Sequence, residues 1–265
     1  MGISRWTAAG GGPRSTHALQ DAGRARLCPM PSPIHTGIHR LADDLVEGRT
    51  DPFAAELERW LRLSRRFRAF ADAHRLKIRK KLRTAHDPEA RSDVRAELLA
   101  AYLLLADRRI EVAFEASGST AGGPDFTVTY RATARFNVEV TRFRGGAASR
   151  TQGAPILGKL RQLPPSIANV LLIAKEPDAR DPYDVGAVVR ALRARSEARD
   201  EDLFAAHGLA GSRALQERLR RLSAVILWSE RAAASARATL WSNPSARIAL
   251  PEHAARACVA SLRAE

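Results

Sequence analysis

Apolar positions change their period along the chain. From about Asp51 they recur at helical steps: Phe53, Leu57, Trp60, Leu61, Phe67 and Phe70 stand mostly three or four apart, with Arg59, Arg62, Arg65, Arg66 and Arg68 between them. This spacing predicts a helix there, extended or followed by a second through Lys77–Arg83, as an N-terminal helical appendage over residues 34–90, whose basic face is more often a solvated surface than a DNA-contacting one. A second helix is expected from Ser92, as N-cap, to Asp107. Three strand-like runs follow, Ile110–Ser117, Asp125–Arg131 and Arg135–Phe143, with Gly118, Gly122, Gly123 and Pro124 punctuating the first gap. A Gly/Ser/Thr-rich loop, Gly145 to Gly153, leads into a short helix at about Pro155–Leu163. Ala168–Lys175 reads as a buried strand. Helices at about Tyr183–Arg199 and Ser212–Arg221 come next, then a strand at Ala224–Ser229, a polar strand or turn around Leu240–Asn243, and a last helix, Glu252–Arg263. The order α-β-β-β-α-β from Ser92 predicts an α/β domain over residues 91–265, a mixed sheet with helices on both faces. Residues 1–33, rich in Gly, Pro, Ser and Arg and without a period, read as a disordered tail or as sequence upstream of a misplaced start.

The second and third strand-like runs form a hairpin with informative parity. Asp125, Thr127 and Thr129 alternate with Phe126, Val128 and Tyr130; Asn137, Glu139 and Thr141 alternate with Phe136, Val138 and Val140. Side chains alternate between faces with period two, so each strand has one polar and one apolar face. A three-residue turn at Arg131–Thr133 puts Asp125 opposite Glu139 and keeps both polar sets together; a two-residue turn separates them. Opposite positions have Cβ atoms about 4.5–5.5 Å apart, where two like charges are destabilising unless compensated. A hard divalent cation is one compensator; the alternative is two carboxylates solvated on an open sheet face.

Glu97 bears on that choice. At about 100° per residue, Val94, Leu98, Ala101, Tyr102 and Leu105 form the apolar arc of their helix, and Glu97 falls inside it. A carboxylate facing a core normally has a partner. One reading packs this helix on the polar hairpin face, with Glu97 joining Asp125 and Glu139; the other leaves Glu97 at the helix margin in solvent.

Composition changes the picture less than it first suggests. The chain carries 43 Lys and Arg against 29 Asp and Glu, a net charge of +14. Only five of the 43 are lysine (Lys77, Lys80, Lys81, Lys159 and Lys175), so GC-rich coding is an alternative source of the arginine excess. The charge is compatible with a nucleic-acid partner without showing one. Cys28 and Cys258 make neither a disulfide framework nor a zinc pattern, which points to a reducing cytoplasm. No apolar run approaches the roughly 20 residues of a membrane span, and Met1 to Arg14 has no apolar core of a secretory signal.

Glu97 in Ala96-Glu97-Leu98-Leu99-Ala100-Ala101, then Pro124-Asp125-Phe126 opening a strand, then Val138-Glu139-Val140-Thr141 together resemble the PD-(D/E)xK nuclease superfamily, over about residues 90–175. The run Asn243-Pro244-Ser245-Ala246 with Leu250-Pro251 resembles the C-terminal part of some members more weakly. The resemblance implies a restriction-endonuclease-like fold and metal-dependent hydrolysis of phosphodiester bonds, with DNA the favoured substrate. It implies Mg²⁺ or Mn²⁺ held by Asp125, Glu139 and the Val140 carbonyl, with Glu97 completing the ligand set or orienting water. The family places a lysine two residues after the second acid, and here that position is Thr141. Some members carry this lysine on the following helix. Lys159 is the lysine there and becomes the candidate for stabilising developing negative charge, with Gln162 as its neighbour three residues on. Thr141 also supports a second hypothesis, a catalytically degenerate nucleic-acid- or protein-binding module. A third is an unrelated α/β domain with solvated acids.

Other signals carry less. His35 and His39 have i, i+4 spacing, but Pro33 and Gly37 argue against a helix there. Glu111 and Glu115 share one face of the first strand and compete for the acidic role; the Pro-Asp context favours Asp125.

Overall fold

The computed structural model describes residues 33–48, 52–114, 123–143, 153–175, 183–229 and 238–263. The expectation of a disordered tail falls outside these residues, as do most of the Gly/Ser/Thr-rich loop and Glu115. Pro33–Glu265 forms one compact unit. Five helices come first: α1 (Pro33–Val46), α2 (Pro52–Leu63), α3 (Arg65–Ala73), α4 (Arg75–Thr84) and α5 (Pro88–Leu104). Then follow β1 (Ile110–Phe114), β2 (Phe126–Tyr130), β3 (Ala134–Phe143), α6 (Ala154–Leu160) and β4 (Ala168–Lys175). The rest is α7 (Val185–Glu197), α8 (Glu201–Ala206), α9 (Ser212–Arg221), β5 (Ala224–Ser229), β6 (Ala238–Ser242) and α10 (Glu252–Arg263).

Local chemistry sets the helix boundaries. The helical stretch from Phe53 to Phe70 breaks at Ser64, whose hydroxyl accepts the Phe67 N–H at 3.1 Å and caps α3. α1 forms despite Pro33 and Gly37: Pro33 is its first residue, where proline's fixed φ and missing N–H cost nothing. α5 starts four residues before Ser92. Asp87 accepts the Ala90 N–H at 2.7 Å and Pro88 takes the first helical position, a stronger start than Ser92, whose hydroxyl donates back to the Pro88 carbonyl. Asp87→Ala is expected to cost about 1 kcal/mol, read as a fall in Tm of about 2–4 °C in a thermal melt.

The sheet runs β1-β2-β3-β4-β5-β6, with β3, β4 and β5 parallel and the other neighbours antiparallel. The hairpin register pairs Phe126 with Val138 and Tyr130 with Ala134, leaving Arg131–Thr133 as a three-residue turn. Arg131 and Ala132 adopt φ of 50° and 58° there, and the Arg131 N–H is tied to the Arg109 carbonyl at 2.8 Å. This is the register that keeps the polar positions of both strands on one face.

Two cores lie on opposite faces. Phe126, Val128, Phe136, Val138 and Val140 join Val170, Leu172, Ile226 and Trp228 under α1–α5 and α10. Leu171, Ile173, Phe143 and Val225 meet α6–α9 on the other face. α5 therefore packs on the apolar face of the hairpin and not, as one sequence reading had it, on the polar face. Val94, Leu98, Ala101 and Leu104 bury only against apolar partners, which the even-numbered hairpin positions supply. Arg66 locks the far end of α5 by donating to the carbonyls of Leu105 and Asp107 at 2.6 Å, and to that of Ile110.

Candidate active site

The gap at the start of β2 brings the two layers together. β2 begins at Phe126, opposite Val138, so continuing the register would set Pro124 opposite Val140. In an antiparallel pair such residues exchange N–H···O bonds, but proline has no N–H to give. The Val140 N–H instead donates to Asp125 Oδ2 at 2.9 Å. The Val140 carbonyl shares that edge and meets no donor from Pro124. Pro124 and Asp125 thus end the ladder one residue early, and side chains from both faces reach the opening.

Glu139 enters from the α6 face. Its carboxylate is 2 % exposed; Oε2 accepts the Asp125 N–H at 3.1 Å and Oε1 accepts from Lys159 Nζ at 2.5 Å. Glu97 enters from the α5 face, and Lys81 of α4 bridges the two sides. Lys81 Nζ donates to Glu97 Oε2 and, at 3.1 Å, to Asp125 Oδ1. The cluster therefore holds three carboxyl and two ammonium groups, one negative charge in excess when every acid is ionised. Glu97, Asp125, Glu139 and Lys159 converge, as the sequence suggested, although Glu97 arrives through the opposite layer.

Burial sets the protonation. It lifts the Glu97 carboxyl to about 8, the Asp125 charge adds to this, and the Lys81 ammonium offsets part of it. Burial, then the Asp125 charge, lifts Glu139 to about 7 against the pull of Lys159. Burial opposes the charge on both lysines, but the facing carboxylates outweigh it and hold Lys81 and Lys159 above the usual lysine value. Both acids sit above their ordinary value of 4.5, so the folded chain binds more protons there than the unfolded one. Their contribution to stability is complete below about pH 4.5 and is lost as pH rises through about 7 for Glu139 and 8 for Glu97. The raised lysines are unaffected in that window. In chelator, stability should fall by on the order of 1–3 kcal/mol between pH 5 and 8.5, and Glu97→Gln should flatten the curve; parallel melting curves for the two proteins would contradict it.

Other residues fall differently. α6 ends at Leu160, short of the expected Leu163, so Gln162 lies in the turn beyond it and not on its face. The Gln162 amide oxygen is buried without a hydrogen-bond partner among the described residues, and no bond joins Gln162 to the carboxylates. Arg142 lies on the α5 face, paired with Asp93 and Glu89 at 2.6 and 2.5 Å. His39 sits beside Glu58 at 3.3 Å, away from the cluster. Glu111 is exposed on the edge strand β1. Asn243 caps the end of α9 by donating to the Leu219 and Leu222 carbonyls at 2.9 and 2.7 Å.

Lys81 escaped the sequence reading. Its signals were its residue type, rare in an arginine-rich chain, and its position between the buried Ile78 and Leu82 of α4.

The donor set suits a hard cation in kind: carboxylate oxygens and the Val140 carbonyl, which has no strand partner at Pro124. Among the described residues, no three carboxylate, His or Cys side chains are already grouped as a metal cage. Lysine ammonium groups stand where positive charge is needed, so a cation binding Asp125 and Glu97 would have to shift Lys81. No helix of the described residues is long and apolar enough to cross a membrane. No protein-family model, curated protein or solved structure matches the chain.

Proposed function

We propose that this chain is a metal-dependent nuclease of the PD-(D/E)xK kind on a restriction-endonuclease-like fold, hydrolysing phosphodiester bonds, with DNA the favoured substrate. One observation carries the reading: Lys159 Nζ lies 2.5 Å from Glu139 Oε1, beside Asp125, where the missing lysine at Thr141 would otherwise be needed. Surface lysines seldom point at a carboxylate that is 2 % exposed, and strongly shifted acids paired with specific cations are candidates for a functional site.

Asp125, Glu139 and the Val140 carbonyl would hold Mg²⁺ or Mn²⁺, with Glu97 completing the set. When bound, the ion lowers the pKa of a water and polarises the phosphate. The residues do the rest. Lys159 places a permanent positive charge beside the reacting oxygens and stabilises the charge that builds on them. Where it does not ligate the ion, Glu97 would orient the attacking water. Lys81 keeps Glu97 and Asp125 together, supplying the positive charge that a bound cation would otherwise bring.

Thr141 favours the alternative of a degenerate binding module. Purified protein, incubated with Mg²⁺ or Mn²⁺ and single- and double-stranded DNA and RNA, decides between them. Metal-dependent cleavage that is lost in Glu139→Ala is the expected result; no cleavage of any of the four polymers, or cleavage that Glu139→Ala leaves unchanged, sinks the nuclease.

A further inference from the structure

We propose that the face formed by α9, the end of α7 and the segment after β6 is a docking groove for a nucleic-acid phosphodiester backbone. Two adjoining open clefts make this groove. One, about 590 Å³, is lined by Arg193, Gln216 and Arg220 with Pro244–Ala246; the other, about 390 Å³, by Arg213, Arg220, Arg221 and Arg247. Gln216 and Arg220 belong to both, so the concavity is continuous.

Five arginines face this concavity against two acids, Glu197 and Glu217. Glu217 approaches Arg221 at 3.5 Å, and Arg193 donates to Asn243 Oδ1 at 3.2 Å. Arg213, Arg220 and Arg247 are exposed, and none pairs with a carboxylate among the described residues. Helix-dipole complementarity accounts for Arg220 and Arg221 in the last turn of α9. It does not account for Arg213, in the first turn, where a cation is unfavourable. Nor does it account for Arg247, whose backbone N–H donates to the Arg220 carbonyl at 2.6 Å and which lines the same cleft as Arg220. Like charges without carboxylate partners that line one concavity are explained by a polyanion that neutralises them.

The groove is a separate surface from the carboxylate cluster, since β4 and β5 stand between Glu139 and β6. α6, which carries Lys159, nevertheless packs against α9 in the same helical layer, so one polymer can follow that layer from the groove to Lys159. Only this last relation rests on the nuclease reading; binding itself does not.

Fluorescence anisotropy of the full chain with a labelled 30-base-pair DNA duplex, and with RNA of equal length, tests it in EDTA. Binding should weaken linearly in log–log salt plots. Arg213→Glu/Arg220→Glu/Arg247→Glu should bind at least tenfold more weakly at about 0.1 M salt, with a slope smaller by about 2–3. The triple Arg→Lys variant should stay within a few-fold of wild type; if the Glu triple does not fold, an Arg→Gln triple takes its place. The proposal is overturned if neither polymer binds or if the charge-reversed variant binds like wild type. It is also overturned if the Lys triple binds no better than the Glu triple, or if polyglutamate competes as well as DNA per charge. Because binding is read without metal, tight groove binding without cleavage overturns the nuclease alone. Cleavage with a groove variant that binds normally overturns the groove alone.

Discussion

Glu139→Ala should lower metal-dependent cleavage by about three orders of magnitude, some 4 kcal/mol of lost transition-state stabilisation. Two losses combine. The substitution removes one of two carboxylates on the edge where a cation would bind, and the remaining donor, Asp125, already spends Oδ2 on the Val140 N–H. It also releases Lys159, whose ammonium is held by Glu139 Oε1, so the cationic side chain is no longer oriented toward the reacting centre. Lys159→Met tests the second loss alone. It should keep metal binding, read by calorimetry, while lowering kcat about 100-fold with little change in KM. If Lys159→Met cleaves as fast as wild type, Lys159 does not supply the function that Thr141 cannot. If Glu139→Ala retains full activity, the cluster is not the active site. Single-turnover cleavage with saturating Mn²⁺ separates these outcomes from slow product release.

Much of this site could be read in the sequence because its geometry is local. Alternation in Phe126–Tyr130 and Phe136–Val140 demands one wet face, and only a three-residue turn at Arg131–Thr133 provides it; the observed register is that one. The buried runs Ala168–Lys175 and Ala224–Ser229 are strands as spaced. The rest depended on non-local packing. An apolar arc shows that α5 is buried without showing which sheet face covers it, so Glu97 could be placed in the site but not in its layer. Lys81 stands 44 residues from Asp125 in the chain, and no periodicity links two such positions. Gln162 was misplaced because the helix was extended two to three residues too far, and Asp87-Pro88 outweighed Ser92 for the same reason: terminal residues are decided by caps. The role of Pro124 is the instructive case. Read as a breaker, it marked a strand boundary; set against Val140, it also explains why a carbonyl and a carboxylate face an opening in place of a ladder.

Lys81→Met should destabilise the fold by about 3 kcal/mol at pH 9, where Glu97 is ionised, since breaking a buried ion pair leaves charge without compensation. In a chain of this size that lowers Tm by about 6–12 °C. Lys81 is 27 % exposed, and its partners Glu97 and Asp125 are 14 % and 11 % exposed, so water screens the carboxylates poorly once the ammonium is gone. The deficit has a direction in pH. Without Lys81 the Glu97 carboxyl rises further, because Lys159 alone then opposes burial and Asp125. Protonation relieves the repulsion, so the gap to wild type should narrow as pH falls toward about 8 and change little below it. Lys81→Met/Glu97→Gln should recover most of the loss at pH 9. The same variant probes the metal reading without any substrate. If the lysine ammonium occupies the place of a cation's charge, Mg²⁺ or Mn²⁺ should raise the Tm of Lys81→Met more than that of wild type, increasingly so with concentration. A Lys81→Met protein that is destabilised yet indifferent to both ions would leave the lysines as the cluster's permanent counter-charges and favour the binding module over the nuclease.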